Sequence, residues 1–455
     1  MNTYSLSRNI PLSEPWDVIV VGGGPSGCAA AISAAREGAK TLLLEASGAL
    51  GGGGTSALVP AWCPFSDKEK VIYRGLAQKI FEACKAGMPH VPPADVDWVP
   101  IDAERLKRVY DDFVLASGAH LLFNTVLSGV DHDEQGRVRA IIVSNKQGLS
   151  ALQARVYIDC TGDADLAAWA GAPFHKGDDS GDLMPATHCF VLTNVDEYAF
   201  RHIYWNGGRL HAGNPESPIY RIVESGKYPL IPDTHICSNW VGPSTVGFNA
   251  GHIWNVDNTD PESVSRGLVQ GRKVAKQLRD ALAEYCPEAF AASFLCNTAP
   301  QIGVRESRRI DGDYTLTLDD YMARRSFPDE IVRNCYFIDV HHSADKIADS
   351  ITERREPITN AVYYGPGESH GIPYRCLVPK KLQNVLVAGR SISCERAVQG
   401  SVRVMPVCLA MGEAAGMAAA HAVQSHCGDV RAVDTARLRH RLQEEGGYLP
   451  EPTAA

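Results

Sequence analysis

Three arginines lie within seven residues in the segment VRESRRI, residues 304–310. The planar guanidinium of arginine binds a carboxylate or phosphate through two parallel hydrogen bonds, so this spacing favours an anion clamp for a substrate. The alternative is structural, because the same arginines could pair with nearby acids. Roles alternate along such a stretch, so we expect one of Arg305, Arg308 and Arg309 to face a site.

Two adjacent histidines, His341 and His342, end the apolar segment FIDVHH. A strand end that feeds a ligand face is a common catalytic position, and imidazole exchanges protons near neutral pH. His341 is therefore a candidate general base for a hydroxyl proton. The competing interpretation is a histidine satisfied by backbone groups at the end of a strand.

Further candidates are spread along the chain. Tyr374 and Arg375 in IPYRC could bind a substrate or a cofactor edge, or could brace a domain junction, which is the favoured interpretation. His188 is a weaker candidate. We expect Cys394 to be a packed thiol rather than a nucleophile, because no cysteine is near it in sequence.

A nucleotide-binding unit lies near the N-terminus. The apolar run DVIVVGGG predicts a strand buried on both faces, and CAAAISAARE predicts a helix over 28–37 that ends before a glycine. Gly22, Gly24 and Gly27 permit a tight turn, close approach of a pyrophosphate and close helix packing. Glu45 ends the next strand, where an acid can accept hydrogen bonds from ribose hydroxyls.

The segments around 120–160 and near the C-terminus indicate which dinucleotide is bound. HLLFNTVLSGV, RVRAIIVS and ALQARVYIDC predict three strands, a meander that is unusual for a simple NAD dehydrogenase. NVLVAGR predicts a buried strand that ends at Gly389 and Arg390. The apolar run that follows predicts a helix whose start, beside Ser401 and Arg403, could hold negative charge on a ring system.

With these segments in place, the chain resembles a bacterial family of FAD-dependent oxidoreductases with the glutathione-reductase-type fold, distantly akin to fumarate reductase and succinate dehydrogenase flavoproteins. The resemblance covers most of the chain except residues 196–296. It is carried by six ordered motifs: VGGGPSGCAAAISAAREG, GGGGTSALV, YIDCTGDADLAAWAGAPF, IGVRESRRIDGDYTLT, FIDVHH and IPYRCLVPKKLQNVLVAGRSIS with GSVRVMPVCLAMGEAAG.

The resemblance implies an α/β fold, in which a Rossmann-like FAD-binding domain with a three-strand meander is joined to an α+β cap that binds the substrate. The implied limits are 1–172 and 376–455 for the FAD-binding domain and 173–375 for the cap. It also favours Arg305 and His341 among the catalytic candidates, which are His341, Arg305, Tyr374 and Arg375.

The same resemblance implies the residues that bind FAD. The pyrophosphate, the adenosine and the flavin would be contacted by Gly22, Gly24, Pro25, Ser26, Gly27, Glu45, Ala46, Gly53, Gly54, Thr55, Ser56, Val126, Thr161, Gly162, Asp163, Gly389, Arg390, Ser401 and Val402. The fumarate reductase relatives place a flavin-linking histidine near the segment GGGGTSA. This chain has none there, so we expect non-covalent FAD.

Composition narrows the possible partners. The chain has 455 residues, a formal net charge of −9 and dispersed basic residues, which argues against nucleic acid. No apolar run reaches the roughly 20 residues needed to span a bilayer, and no signal peptide is evident, so we expect a cytoplasmic protein. Its 13 cysteines include no C-x-x-C pair, and no metal site is predicted.

Two functional hypotheses remain open. The first is a dehydrogenase that moves a hydride between flavin N5 and a small polar substrate: a hydroxyl, an amine or a C=C bond, with a sugar or hydroxy acid among the options. Its electron acceptor could be a quinone, an electron-transfer protein, O₂ or NAD(P). The second is a catalytically silent flavin-binding subunit of a larger redox complex. The aromatic residues of 196–296 suit a sugar ring, or equally a plain core.

Overall fold

A computed structural model describes residues 4, 7–205, 208–231, 233–341, 343–344, 347–354, 358–359 and 361–450. The described strands are β1 (Trp16–Val21), β2 (Thr41–Leu44), β3 (His120–Leu122), β4 (Val126–His132), β5 (Val138–Asn145), β6 (Gly148–Leu152), β7 (Ala154–Asp159), β8 (Phe174–Lys176), β9 (Phe190–Thr193), β10 (Ile236–Gly242), β11 (Thr245–Ala250), β12 (Phe294–Thr298), β13 (Arg308–Ile310), β14 (Glu330–Asn334), β15 (Val340–His341), β16 (Ile358–Thr359), β17 (His370–Pro373) and β18 (Val385–Val387).

The described α-helices are α1 (Pro25–Arg36), α2 (Leu76–Lys85), α3 (Ala103–Ala116), α4 (Asp165–Trp169), α5 (Glu197–Ala199), α6 (Pro218–Glu224), α7 (Pro261–Tyr285), α8 (Pro287–Phe290), α9 (Leu318–Met322), α10 (Ile347–Thr352), α11 (Arg396–Val402), α12 (Met405–Ser425) and α13 (Thr435–Glu444). A π-helical segment covers Phe200–Trp205, and 3₁₀ turns cover Gly52–Gly54, Tyr374–Leu377 and Val430–Ala432.

A five-stranded parallel sheet in the order β18-β7-β1-β2-β3 forms the centre of the nucleotide-binding part. Successive side chains of a strand point to opposite faces, so β1 contributes to two cores. Val18 and Val20 pack in the cluster that contains α1 and α12, and Ile19 and Val21 pack in the cluster that contains the meander. Burial on both faces explains why β1 is a continuous apolar run rather than an alternating one.

The predicted α/β fold with a three-strand meander is confirmed, but two strand boundaries were wrong. The meander is the antiparallel sheet β4-β5-β6. The segment HLLFNTVLSGV forms two strands, because Asn124 adopts a positive φ of 50° and separates β3 from β4. ALQARVYIDC also divides, and its second part is β7 of the parallel sheet.

A second sheet, antiparallel and in the order β10-β11-β9-β12, lies within the segment predicted for the cap. Its aromatic side chains Phe190 and Phe248 stack in a separate core that includes one face of the long helix α7. Phe248, which belongs to the aromatic residues of 196–296, therefore lies in a plain hydrophobic core. The domain limits themselves stay a prediction.

Helix α12 is long and apolar enough, by length and composition alone, to cross a membrane. However, 94% of its apolar window is buried inside the protein, against α1 and the parallel sheet. A buried core helix passes the same test as a membrane span. Its apolar character is thus explained by its position between packed layers.

Candidate functional site

The first glycine loop has the shape that a pyrophosphate requires. Gly22 has a φ of +101°, and a Cβ at this position would lie 2.4 Å from the carbonyl oxygen of Cys160. A Cβ on Gly27 would lie 1.7 Å from the carbonyl oxygen of Gly22, so only glycine lets α1 start this close to β1. A Cβ on Gly24 would meet nothing within 4 Å. The loop therefore has no room for a side chain at Gly22 or Gly27. It has room at Gly24, beside the start of α1, where a ligand could approach the backbone.

Glu45 is buried at the end of β2 and faces this loop. Its carboxylate accepts hydrogen bonds from the backbone N–H of Gly23 and of Ser47, both at 2.7 Å. Ala46 beside it is exposed. The carboxylate thus fixes the loop, and its remaining acceptor capacity is available for ribose hydroxyls.

The segment Gly51–Gly54 packs on the first loop. A Cβ on Gly52 would lie 3.2 Å from the Cα of Gly24, and a Cβ on Gly53 would lie 3.5 Å from Sδ of Met405. Gly54 faces the protein instead, because its Cβ would lie 2.8 Å from Leu106. The four glycines therefore bring the backbone between the first loop and the start of α12.

The two hydroxyl residues after these glycines, Thr55 and Ser56, are buried. The Thr55 hydroxyl donates to the carbonyl oxygen of Leu50 at 2.6 Å. The Thr55 hydroxyl is thus hydrogen-bonded within its own segment. Contact of Thr55 or Ser56 with FAD stays a prediction.

Thr161, Gly162 and Asp163 follow β7 and lie beside Arg390. Arg390 donates to the carboxylate of Asp163 at 2.8 Å, and a Cβ on Gly162 would lie 2.9 Å from its guanidinium. Gly389 has a φ of +104°, and its Cβ would lie 2.7 Å from the hydroxyl oxygen of Ser26. Three predicted segments thus converge at the ends of β1, β7 and β18.

The start of helix α12 differs from the expectation. Ser401 and Val402 belong to the preceding helix α11, and α12 begins at Met405. Ser401 is fully buried, and its hydroxyl donates to the carbonyl oxygen of Tyr336 at 2.5 Å. The helix start that faces the glycine segment is therefore that of α12, three residues beyond Val402.

Two further predicted contacts are compatible with this cradle. Pro25 is the first residue of α1, and Val126 is 46% exposed at the start of β4, where its side chain is accessible to a ligand. The room at Gly24, the two glycine segments packed on each other and the two helix starts beside them fit an elongated anionic dinucleotide.

Beside this cradle, Arg305 contacts His235, whose ring lies next to that of the predicted His341. Arg305 is buried, and its Nη1 donates to the carbonyl oxygen of Pro185 and the hydroxyl of Thr187, both at 2.8 Å. Among the described residues, its Nη2 makes two long contacts, 3.3 Å to Nε2 of His235 and 3.4 Å to Asn249. This nitrogen retains hydrogen-bonding capacity for a ligand oxygen.

His341 forms the centre of a buried line of polar groups. Its Nδ1 lies 2.8 Å from Nε2 of His252, and its Nε2 lies 3.3 Å from Oδ1 of Asp339. Nδ1 of His252 lies 3.5 Å from Oδ2 of Asp233. The ring of His235 stacks on that of His252, with centroids 4.3 Å apart.

The charges of this cluster shift the pKa values of its members in different directions. Burial and Arg305 lower the pKa of His341 to about 4 and hold that of His235 well below its usual value. Burial raises the pKa of Asp233 to about 6. Burial also pushes up the pKa of Asp339, but His341 and Arg403 outweigh it and hold this pKa below the usual range.

The cluster adjoins the glycine cradle through α11 and the start of α12. Arg403 donates to the carboxylate of Asp339 at 2.8 Å, and it lies two residues before Met405, which contacts Gly53. Gln399 of α11 donates to the carbonyl oxygen of Arg305 at 2.9 Å. A substrate held by the cluster would therefore lie next to the predicted flavin end of the cradle.

The other sequence candidates have partners outside the cluster. The Tyr374 hydroxyl donates to the carbonyl oxygen of Val430, and Arg375 pairs with Asp329 at 2.9 Å. Arg308 pairs with Asp165, and Arg309 with the buried Glu306. These contacts match the structural alternatives weighed for each of these residues.

Two weaker candidates are also accounted for, and one lies outside the described residues. His188 has its Nε2 2.6 Å from the carbonyl oxygen of Ala299. Burial raises the pKa of the Cys394 thiol to about 12, as expected for a packed cysteine. His342 lies outside the described residues.

Five residues of the site were not predicted from the sequence: His235, His252, Asp233, Asp339 and Arg403. His235, His252 and Asp233 lie in 196–296, where the sequence shows no recognisable motif. The available signals were the histidines in DTHICSN and GHIWNVDN, and the aspartate two residues before His341 in FIDVHH. Only the fold shows that these segments meet.

The imidazoles of His235, His252 and His341 are close enough to be considered as metal ligands. Two ligand nitrogens on a tetrahedral ion are about 3.3 Å apart, given metal–nitrogen distances of about 2.0–2.1 Å. The 2.8 Å between His252 and His341 is a hydrogen-bond distance instead. The positive charge of Arg305 beside His235 also opposes a cation, so the arrangement favours proton exchange.

Two curated proteins match short parts of the chain. Among curated proteins, the dihydrolipoyl dehydrogenase of Trypanosoma brucei brucei is 58% identical over 45 residues, which are 10% of this chain and 9% of that protein. The glutathione reductase of Schizosaccharomyces pombe is 36% identical over 97 residues, 21% of this chain and 19% of that protein. The chain thus matches only a small part of the length of these relatives.

Solved structures with a similar course of the chain include a geranylgeranyl bacteriochlorophyll reductase-like protein of Thermoplasma acidophilum. Its TM-score is 0.46 at 14% identity, covering 96% of this chain and 85% of that one. The p-nitrophenol 4-monooxygenase of Pseudomonas putida has a TM-score of 0.42 at 12% identity, covering 94% and 84%.

The family assignment follows from a match over nearly the whole chain. The family model described as FAD dependent oxidoreductase matches residues 17–442, from β1 to α13. This range contains both glycine segments, the Asp163 and Arg390 pair and the histidine cluster. The chain is therefore an FAD-binding enzyme that belongs to the FAD dependent oxidoreductase family.

Proposed function

We propose that this oxidoreductase transfers a hydride between a small polar substrate and N5 of the flavin, with the histidine cluster as the substrate site. The observation that carries the proposal is the buried contact of Arg305, His235, His252 and His341 beside the start of α12. Buried titratable groups with shifted pKa values are typical of catalytic sites. A catalytically silent subunit would not require them.

Different residues would bind the substrate and exchange its proton in such a reaction. FAD, when bound, supplies the hydride acceptor or donor. Nη2 of Arg305 would bind a hydroxyl, carbonyl or carboxylate oxygen of the substrate, and Nε2 of His341 would exchange the hydroxyl proton. Burial of the cluster would exclude water from the proton transfer.

The proposed substrate class is a small polar molecule with a hydroxyl, an amine or a C=C bond, sugars and hydroxy acids included. A positively charged Arg305 supports a substrate with an oxygen-rich or anionic group. The electron acceptor could be a quinone, an electron-transfer protein, O₂ or NAD(P). Non-covalent FAD is part of the proposal, and the glycine segment that replaces a linking histidine supports it.

Three broader expectations belong to the same proposal. The domain limits are supported by β18. This strand of the C-terminal segment pairs with β7 in the parallel sheet of the N-terminal segment. A cytoplasmic location without a membrane span is supported by the burial of α12. Distant kinship with fumarate reductase flavoproteins rests on the sequence motifs alone.

Anaerobic mixing of the holoenzyme with hydroxy acids, polyols, amines and unsaturated acids tests the function. We expect one class to bleach the flavin absorbance. Arg305→Gln should slow bleaching by about 100-fold, the cost of removing one preorganised charged donor. Arg139→Gln, an exposed arginine paired with Asp131, is the control that should leave the rate unchanged. Absence of bleaching by every class would favour the silent subunit.

A further inference from the structure

Three buried side chains of the cluster each carry a polar atom that forms no hydrogen bond within the described part of the chain. The atoms are Nδ1 of His235, Oδ1 of Asp339 and Oε1 of Gln399. The three residues are only 6%, 7% and 0% exposed. A buried polar atom without a partner costs about 1–3 kcal/mol, so such atoms in a native protein usually meet water or a ligand.

Contacts place these three residues around Arg305 and His341. Nε2 of His235 lies 3.3 Å from Nη2 of Arg305, and its ring centroid lies 5.1 Å from that of His341. Oδ1 of Asp339 lies 3.3 Å from Nε2 of His341, a close contact that is not a hydrogen bond. Gln399 donates to the carbonyl oxygen of Arg305 at 2.9 Å. The three atoms therefore belong to the proposed substrate site.

The contact with Arg305 decides where His235 carries its proton. A guanidinium only donates hydrogen bonds, so Nε2 of His235 must accept, and the proton of the neutral ring is on Nδ1. Burial and Arg305 lower the pKa of His235 well below its usual value, which keeps the ring neutral. Nδ1 of His235 is therefore a buried N–H donor, and Nη2 of Arg305 is a second donor beside it. Both require an acceptor oxygen.

Asp339 and Gln399 supply acceptors instead. Burial opposes ionisation of Asp339, but His341 and Arg403 outweigh burial, and the pKa of Asp339 is lowered. The ionised carboxylate only accepts hydrogen bonds, and Nη2 of Arg403 donates to its Oδ2 at 2.8 Å. The amide nitrogen of Gln399 faces a carbonyl oxygen, which fixes Oε1 as the other acceptor. Oδ1 and Oε1 both require a donor hydrogen.

A ligand that satisfies this site must supply donor hydrogens and acceptor oxygens together. A hydroxyl does both, whereas a carboxylate only accepts and an ammonium only donates. We propose that the substrate is a neutral polyhydroxylated molecule, a sugar or polyol whose neighbouring hydroxyls contact His235, Asp339 and Gln399, an inference that rests on the proposed function. The inference narrows the substrate class, because it excludes simple hydroxy acids, amines and unsaturated acids.

The charges of the site agree with a neutral ligand. Arg305 and Arg403 are cationic, and the ionised Asp339 balances one of them. Asp233 balances the other at neutral pH, since burial raises its pKa only to about 6. The pKa of His341 is lowered to about 4, so this ring adds no charge. An anionic or cationic substrate would place an additional charge in a buried site, where an unpaired charge is costly.

The first test compares two sets of probes on the wild-type holoenzyme. D-Glucose, myo-inositol and D-mannitol represent the polyols, and succinate, L-lactate and propylamine represent the excluded classes. Each compound is titrated under anaerobic conditions while the flavin absorbance is followed. We expect a saturable spectral change, and then bleaching, with at least one polyol. Binding of the acids or the amine but of no polyol would overturn the inference. So would a complete lack of binding, which would leave water as the partner of the three atoms.

The second test separates direct contact from a structural role. In His235→Gln, the amide oxygen can occupy the Nε2 position and accept from Arg305, but the Nδ1 donor is lost. Wild type should bind the polyol about 10-fold more tightly than the monodeoxy analogue that lacks the contacted hydroxyl. His235→Gln should bind the two compounds equally. If His235 only supported the structure, the variant would weaken both compounds alike and keep the ratio, and the contact would be refuted.

Asp339→Asn provides an independent variant, because it replaces a charged acceptor. Affinity for the polyol should fall about 10- to 100-fold, as expected for a hydrogen bond to a charged group. Asp131→Asn, at an exposed aspartate paired with Arg139, should leave the affinity unchanged. Wild-type affinity in Asp339→Asn would contradict the inference. If Asp339→Asn does not fold, the deoxy ratio in His235→Gln still decides.

Failure of this inference differs from failure of the proposed function. If lactate or propylamine bleaches the flavin and no polyol does, the substrate class is wrong while the hydride transfer stands. If a polyol binds with the expected preference over its deoxy analogue but never reduces the flavin, the hydride transfer is wrong and the polyol site stands.

Discussion

At the scale of single residues, Glu45 connects the fold to the predicted cofactor site. Its carboxylate accepts the backbone N–H groups of Gly23 and Ser47 and is almost fully buried. Loss of a charged acceptor costs about 1.5–3 kcal/mol per hydrogen bond. Because Gly23 lies within the first glycine loop, the shape of this loop depends on the same carboxylate that would bind the ribose.

We therefore expect Glu45→Ala to weaken FAD binding by about 10- to 100-fold, the equivalent of about 1.4–2.8 kcal/mol. Apoprotein obtained by acid release of FAD would be titrated with FAD, and the flavin fluorescence followed. Glu104→Ala is a matched control. Glu104 is exposed, and within the described residues it forms an ion pair with Lys107. Equal affinities of Glu45→Ala and wild type would refute the ribose role.

At the scale of elements, the 3₁₀ turn Gly52–Gly54 contains one glycine that faces the start of α12 and one that packs in the protein interior. The sequence alone does not distinguish the two. A Cβ on Gly53 would make an ordinary contact with Met405 at 3.5 Å, whereas a Cβ on Gly54 would lie 2.8 Å from Leu106. Gly53 therefore has room on the protein side and faces the start of α12. Gly54 is a packing position.

We expect Gly53→Val to reduce FAD affinity by at least 10-fold while the apoprotein keeps its melting temperature. Gly54→Ala should instead lower the melting temperature, because overpacking costs about 1–3 kcal/mol. FAD titration and calorimetry of the apoproteins distinguish the two effects. If Gly53→Val bound FAD normally, the predicted contact of Gly53 with the cofactor would be wrong.

The same scale shows what the sequence could and could not predict. The unit β1–α1–β2 was predictable because its turn, helix and acid interact within about 30 residues, and each step has its own pattern. The start of α12 was misplaced although the sequence carries a local signal: Pro406 is the second residue of α12, a position that suits a helix start and would break a helix continuing from α11. Apolar composition alone does not reveal such a break.

At the scale of the whole molecule, the histidine cluster was only half predictable. Arg305 and His341 were identified from local motifs, but His235, His252 and Asp233 reach them through the antiparallel sheet of the cap. Tyr374 and Arg375 share a motif with the β18 region yet bond elsewhere. Local patterns predict the cofactor cradle, whereas a site between sheets depends on long-range packing.

Asp163 is hydrogen-bonded to three segments that are distant from it in sequence. It accepts hydrogen bonds from Ser307 at 2.6 Å, from Arg390 at 2.8 Å and from Asn258. Burial alone would raise its pKa, but Arg390 and the other donors outweigh burial, and the pKa is lowered. A carboxyl with a lowered folded-state pKa stabilises the protein above its unfolded pKa, and this contribution is lost as the pH falls through the folded one.

Asp163→Asn should therefore lower the free energy of unfolding of the apoprotein by about 3 kcal/mol at neutral pH, because it leaves Arg390 without its buried partner. The deficit should start to shrink below about pH 4, where the carboxyl becomes protonated in the unfolded chain, and should shrink further as the pH falls through the lowered folded-state pKa. Urea unfolding across this pH range measures the difference. Asp131→Asn, which breaks the exposed pair with Arg139, should cost less than about 1 kcal/mol. A deficit for Asp163→Asn that stayed constant down to acid pH would show that its hydrogen-bonding shape, and not its charge, holds the segments together.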